Sequence, residues 1–128
     1  MSPAERDAPA LDHVQLAAPP GCEPEARRFY ADLLGLAEME KPAGLRSTGG
    51  AWFELDGGQL HIGVDESFAP SRKGHPALRV TLRQLRDPAA RLQGAGAPVT
   101  WDDRLPGYRR FYTADPWGNR LELLAREP

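Results

Sequence analysis

Long apolar runs are missing from this chain. No stretch approaches the roughly 18 residues that a membrane-spanning helix needs, so no membrane partner is expected. Cysteine is nearly missing as well. Cys22 stands alone among 128 residues, which excludes a disulfide within the chain and reads as a plain thiol. An excess of positive charge is also lacking. Sixteen Lys and Arg against 18 Asp and Glu leave a formal net charge of −2, which argues against nucleic acid. The first ten residues, Met1 to Ala10, hold no apolar stretch of the signal-peptide type and read as a disordered lead-in. A cytoplasmic location is the resulting expectation. Histidine is scarce too, and the positions of the three that exist matter below.

What remains is an ordinary globular composition, 41% hydrophobic and 27% charged, long enough to bury one core. Leu11 to Ala17 alternates apolar and polar residues and predicts a strand. Pro24 opens a helix whose apolar face is Ala26, Phe29, Tyr30, Leu33 and Leu34, with Gly35 as its stop. Leu36 to Glu40 reads as a short strand. Ala51 to Leu55 and Gln59 to Val64 form a hairpin around Asp56-Gly57-Gly58. Asp65 to Gly74 is a polar linker in which Arg72 and Lys73 read as solvated charges or an anion contact. The order then repeats. His75 to Leu82 alternates as a strand, and Asp87-Pro88 reads as the start of a helix bearing Leu85, Ala89 and Leu92 and ending at Gly96. Pro98 to Asp102 is a strand. Tyr108 to Thr113 and Asn119 to Ala125 make a second hairpin around Asp115 to Asn119. The prediction is therefore one α+β domain over residues 11–125, built of two βαβββ modules, 11–64 and 75–125.

All three histidines fall in matching places of this repeat. His13 lies in the first strand of module one and His61 in its last, 48 residues on. His75 opens module two and Glu122 lies in its last strand, 47 residues on. Alternation puts Gln15 and Ala17 with His13, and Gln59 and Gly63 with His61. It puts Ala77, Arg79 and Thr81 with His75, and Arg120 and Leu124 with Glu122. The opposite faces (Val14, Leu16, Leu60, Ile62, Leu78, Val80, Leu121, Leu123) are aliphatic and should pack under the helices. A polar sheet face is compatible with plain solvation. Three imidazoles and a carboxylate at equivalent positions instead suggest one divalent metal: Zn, Fe, Mn, Co or Ni.

Four stretches carry a resemblance. They are Leu11 to Val14, Phe29 to Leu36, His75 to Val80, and the run from Phe111 to Glu122 containing Asp115-Pro116-Trp117-Gly118-Asn119. In these the chain resembles the vicinal oxygen chelate superfamily, which contains glyoxalase I, extradiol dioxygenases, fosfomycin-resistance enzymes and bleomycin-resistance proteins. The resemblance covers about residues 11–125. It implies paired βαβββ modules whose curved sheets form a metal cleft, commonly completed in a homodimer. His13, His75 and Glu122 match metal positions shared by many members. His61 matches the fourth position of glyoxalase I, where that enzyme carries glutamate.

The function these readings predict is a metal-dependent lyase, isomerase or dioxygenase acting on a small, anionic, oxygen-bearing molecule. Glu122 or His61 is the expected general base. Arg79, Arg120 and one of the alternating pair Arg109 and Arg110 are expected at the substrate, with Trp52 as apolar wall. The alternative is a metal-free protein that sequesters a drug, as bleomycin-resistance proteins do.

Overall fold

The computed structural model describes residues 8–128. The expected lead-in spans residues 1–10, of which 1–7 lie outside the described residues. Residues 8–10 are exposed and belong to no regular element.

Module one runs β1 (His13–Ala18), a short helix α1 (Glu23–Ala26) continued as a π-helical stretch (Arg27–Leu33), β2 (Glu38–Met39), a 3₁₀ turn (Ala43–Thr48), β3 (Ala51–Leu55) and β4 (Gly58–Val64). Module two runs β5 (Ala77–Arg79), α2 (Leu82–Gly94), β6 (Thr100–Asp102), β7 (Tyr108–Ala114) and β8 (Arg120–Arg126). Each module closes a four-stranded sheet, β1-β4-β3-β2 and β5-β8-β7-β6. In both, the first strand pairs parallel with the last, and the hairpin pairs antiparallel. This is the predicted α+β architecture, with both hairpins where the turn residues put them. Among the described residues no helix is long and apolar enough to cross a membrane.

Local chemistry accounts for the departures from expectation. The strand expected over His75 to Leu82 shrinks to Ala77–Arg79, because Pro76 has no N–H for the ladder and Thr81 turns into a cap. The second helix does not start at Asp87-Pro88. It starts at Leu82, where the Thr81 hydroxyl accepts from the Gln84 N–H and the Gln84 side chain accepts from the Thr81 N–H. A reciprocal cap of this kind contributes about 1 kcal/mol and sets the helix start at Leu82, which leaves Pro88 inside the helix. Leu85, Pro88, Ala89 and Leu92 form its buried stripe.

One core serves both modules. Phe29, Tyr30, Phe53, Leu60 and Ile62 of the first meet Leu85, Leu92, Phe111, Leu121 and Leu123 of the second. The modules join through their helices, where the Arg91 Nε donates to the Leu33 carbonyl at 2.9 Å. They also join through a buried polar strut. The Tyr30 hydroxyl donates to Asp115 Oδ2 at 2.7 Å, and Asn119 Nδ2 donates to both Asp115 Oδ2 and the Ala17 carbonyl at 2.8 Å. Burial, reinforced by the Asp115 charge, raises the Tyr30 pKa well above its ordinary value, so it stays a neutral donor. Asp115 Oδ1 also accepts from the backbone N–H of Trp117 and Asn119, which fixes the β7–β8 turn.

Removing Asp115 strands four donors in a buried setting. Asp115→Ala should lower unfolding free energy by about 3 kcal/mol or more. Tyr30→Phe, which leaves the turn bonds intact, should cost about 1 kcal/mol. Urea midpoints of the two variants against the parent measure both effects.

Candidate metal centre

Parallel pairing sets the register of the first half-site. His61 in β4 lies opposite Gln15 in β1 and Trp52 in β3, and His13 lies opposite Gln59. All five side chains therefore share one face. The Trp52 indole stacks on the His61 ring at 3.8 Å between centroids and 2° between planes. His13 stacks on His61 at 4.4 Å and 17°. His61 is buried and sandwiched, and its Nε2 hydrogen-bonds Gln59 Oε1 at 2.8 Å. His13 is half exposed, with Nδ1 2.8 Å from Asp12 Oδ2. The Gln15 side chain crosses directly over Gly63, where a Cβ would come within 2.5 Å of it and push the Gln15 amide aside.

The second half-site occupies the equivalent place in the other sheet. Glu122 in β8 lies opposite Ala77 in β5 and Tyr112 in β7, and Thr100 in β6 extends the row. Glu122 is buried, with both oxygens engaged. Its Oε1 meets His75 Nε2 at 3.0 Å, and its Oε2 accepts from Arg110 Nη1 at 3.2 Å. His75 Nδ1 donates to the Lys73 carbonyl at 2.8 Å, and Tyr112 packs edge-on against the imidazole. Arg110 Nη2 donates to Asp102 Oδ1, and Asp102 Oδ2 accepts from Arg104 Nε at 2.8 Å. Hydrogen bonds from Arg104 hold the Asp102 carboxyl well below the usual carboxylate range, with Arg110 adding to the effect.

The four candidate ligands thus fall into two pairs, one on each sheet. Among the described residues no three His, Cys, Asp or Glu side chains of a single chain cluster as a metal cage would require. The ligand-bearing segments divide two and two between the sheets, β1 and β4 in one and β8 with the approach to β5 in the other. The reason is topological: the helices of the two modules meet in the common core, and each sheet turns its polar face away from that core.

The predicted substrate residues divide. Trp52 sits at the first half-site as expected, but as a lid on His61. Arg110 is committed to Asp102 and Glu122 rather than left for a ligand, and Arg109 turns outward over Trp101. Arg120 lies over the Tyr112 ring at 4.2 Å. Arg79 is exposed on the row beside Leu124. Cys22 is buried, and burial together with its bond to Glu23 pushes the thiol up to about 11, which suits the plain thiol expected. Gln59 was placed beside His61 by alternation, whereas Asp12, Asp102, Tyr112 and the Lys73 carbonyl were not foreseen as partners. Tyr112 was within reach, since the β7–β8 hairpin sets it opposite Glu122. Asp102 needed the β6–β7 register, which no turn residue reveals.

The family of the Glyoxalase-like domain matches residues 22–124. The chain belongs to this family. Its membership places it in the vicinal oxygen chelate superfamily. A glyoxalase family protein from Bacillus anthracis is 40% identical over 94% of this chain and 97% of its own, with a TM-score of 0.86. A glyoxalase/dioxygenase from Nostoc punctiforme is 21% identical and covers 100% of this chain and 97% of its own, with a TM-score of 0.77. It shares the fold. So does a variant of the fosfomycin resistance protein FosX from Listeria monocytogenes, solved with manganese(II) and 1S,2S-dihydroxypropylphosphonic acid. That protein is 18% identical over 92% of each chain, with a TM-score of 0.72. No functionally curated protein matches the chain.

Burial lowers the His61 pKa from its ordinary value, and the charge of His13 adds to the effect. The unfolded chain therefore binds the His61 proton more readily than the folded one. Stability should be fully present above about pH 6.5 and fall as pH drops through that value toward the lower folded one. In a His61→Gln variant this contribution vanishes, so its stability should change less between pH 7.5 and 5.5 than the parent's. Urea midpoints at the two pH values test this; parallel curves would show that His61 is not held neutral.

Proposed function

We propose that the protein is a divalent-metal-dependent enzyme of lyase, isomerase or dioxygenase type. It acts on a small, anionic, oxygen-bearing substrate and works as a homodimer. One observation carries the reading. Each candidate ligand is already held by a partner at its other polar atom: His13 by Asp12, His61 by Gln59, His75 by the Lys73 carbonyl, and Glu122 by Arg110. Outer partners of this kind fix the tautomer and orientation of metal-ligating side chains. A carbonyl can only accept, so His75 carries its hydrogen on Nδ1 and turns Nε2 toward Glu122. Gln59 similarly leaves His61 Nδ1 as the open nitrogen, and Asp12 leaves His13 Nε2 open. The donor set, three imidazoles with one carboxylate, fits Zn, Fe, Mn, Co or Ni. The manganese in the FosX relative supports this class of ion.

Two ligands per half-site are too few for a stable centre. The reading therefore joins His13 and His61 of one protomer with His75 and Glu122 of its partner, and a two-fold axis then makes two identical sites. When bound, the metal supplies Lewis-acid stabilisation of negative charge developing on a substrate oxygen. The chain's own residues do the rest. His61, kept neutral by burial, accepts a proton at Nδ1 when it is not a ligand. Arg110 holds Glu122 in place and keeps its buried charge compensated. Trp52 shields one face of His61 from water. A single buried cysteine and the lack of disulfides suit a cytoplasmic setting.

A second reading, sequestration without metal, is favoured by the Trp52–His61–His13 stack, which offers a ring surface for an aromatic ligand. Metal content separates the two. Wild type should carry about one ion per chain by plasma mass spectrometry, and His13→Ala and His75→Ala should each lose it. An equal mixture of the two variants, unfolded and refolded together, should recover about a quarter of the wild-type content, because half the dimers are mixed and each mixed dimer rebuilds one of two sites. No recovery from the mixture would place all four ligands in one chain. An empty wild type after reconstitution would leave sequestration as the function.

A further inference from the structure

The second sheet carries several arginines on or beside its polar face, and they are not equivalent. Arg104 and Arg110 are spent on Asp102 and Glu122. Arg120 makes no ion pair among the described residues; half-buried, it rests on the Tyr112 ring at 4.2 Å. Arg72, in the linker between the modules, also makes none among the described residues. Both border one cavity of about 510 Å³, together with the hydroxyl-bearing Ser71, Thr100 and Tyr112. No carboxylate lines it. That is unusual in a chain of net charge −2. The cavities beside Arg28, Arg109, Arg83 and Arg27 each include at least one acid: Glu25, Asp102, Asp87 and Glu23 respectively.

We infer that this cavity is the substrate's anion subsite, in which Arg72 and Arg120, with Ser71 and Thr100, hold a carboxylate, phosphonate or phosphate group. Two guanidinium groups that make no ion pair among the described residues, lining one cavity with hydroxyl donors, suit the charge of an oxyanion. Tyr112 keeps Arg120 in place by lying under its guanidinium. The subsite adjoins the half-site of His75 and Glu122. Tyr112 lies directly opposite Glu122, and Arg120 is two residues before it on the same face, roughly 6.6 Å along the strand. An anion at Arg120 and an oxygen function at Glu122 and His75 thus fit within one small molecule. This inference rests on the reading of His75 and Glu122 as metal ligands, and it narrows the substrate to a small organic acid whose anionic group lies a few bonds from the chelating oxygens.

The test uses the full chain stripped of metal by a chelator, so its outcome does not depend on the ion. Inorganic phosphate, methylphosphonate and acetate are each titrated while the arginine Nε–H signals are followed by NMR. Arg72 and Arg120 should shift and saturate together with at least one of the three, and whichever binds tightest names the group. Arg120→Gln and Arg72→Gln should each weaken that binding about tenfold. Arg83→Gln, on the exposed side of α2, should leave it unchanged. Shifts that never saturate, or that survive both substitutions, overturn the subsite. If wild type loads metal but no anion binds, the subsite falls and the metal reading stands. If anions bind and metal does not, the anion pocket stands as a binding site and the chelating role beside it falls.

Discussion

Parallel pairing of the first strand with the last in each module is the constraint on which the rest of the structure depends. It brings residues nearly 50 positions apart in sequence side by side, His13 against Gln59 and Ala77 against Glu122. It also puts the last strand at the centre of each sheet, with a neighbour on both edges. The central strand is where a side chain is most thoroughly surrounded, and His61 and Glu122 sit there, both buried. Had either module closed as a simple antiparallel meander, its first and last strands would lie at opposite edges and no pair would form.

The two half-sites solve the burial of a polar group differently. At His61 the answer is aromatic. Burial between Trp52 and His13 desolvates the ring and favours its neutral form, and the His13 charge pushes the same way. At Glu122 the answer is ionic. Charges alternate along Arg104, Asp102, Arg110 and Glu122, so the buried carboxylate never stands alone. Removing one member of such a chain costs more than the chain contributes, because the neighbour is left charged and unpaired. The asymmetry gives the two pairs distinct duties in the proposed centre: the first offers neutral nitrogens and a ring surface, the second a charged oxygen and the approach for an anion.

Much of this was legible in the sequence, and the reasons are local. Period-two alternation and the turns at Asp56-Gly57-Gly58 and Asp115 to Asn119 located both hairpins, because those signals are set by residues that touch in the folded chain. The repeat then carried the ligand positions with it. Helix ends were less legible. Asp87-Pro88 has the form of a start, but Thr81 and Gln84 make the reciprocal cap six residues earlier, and the buried stripe from Leu85 to Leu92 needs that earlier turn. The partners of Arg110 were hidden for a related reason. Alternation says which way a side chain faces and is silent on what it meets there. Asp102 comes from a strand whose register no local signal fixes.

The least legible feature was the separation of the ligand pairs, and it follows from the core rather than from the site. Each helix must bury its apolar stripe, and it does so between the sheet of its own module and the helix of the other. Phe29, Tyr30 and Leu34 therefore share one core with Leu85, Ala89 and Leu92. Once the helices meet in the middle, the polar faces of the sheets are directed outward and apart. Under the proposed function, a chain that folds this way holds two halves of a site and completes neither. Under the proposed dimer, the same apolar packing that divides the ligands within a protomer exposes each half to the complementary half of a second copy, so closing the core and opening the cleft are one structural event.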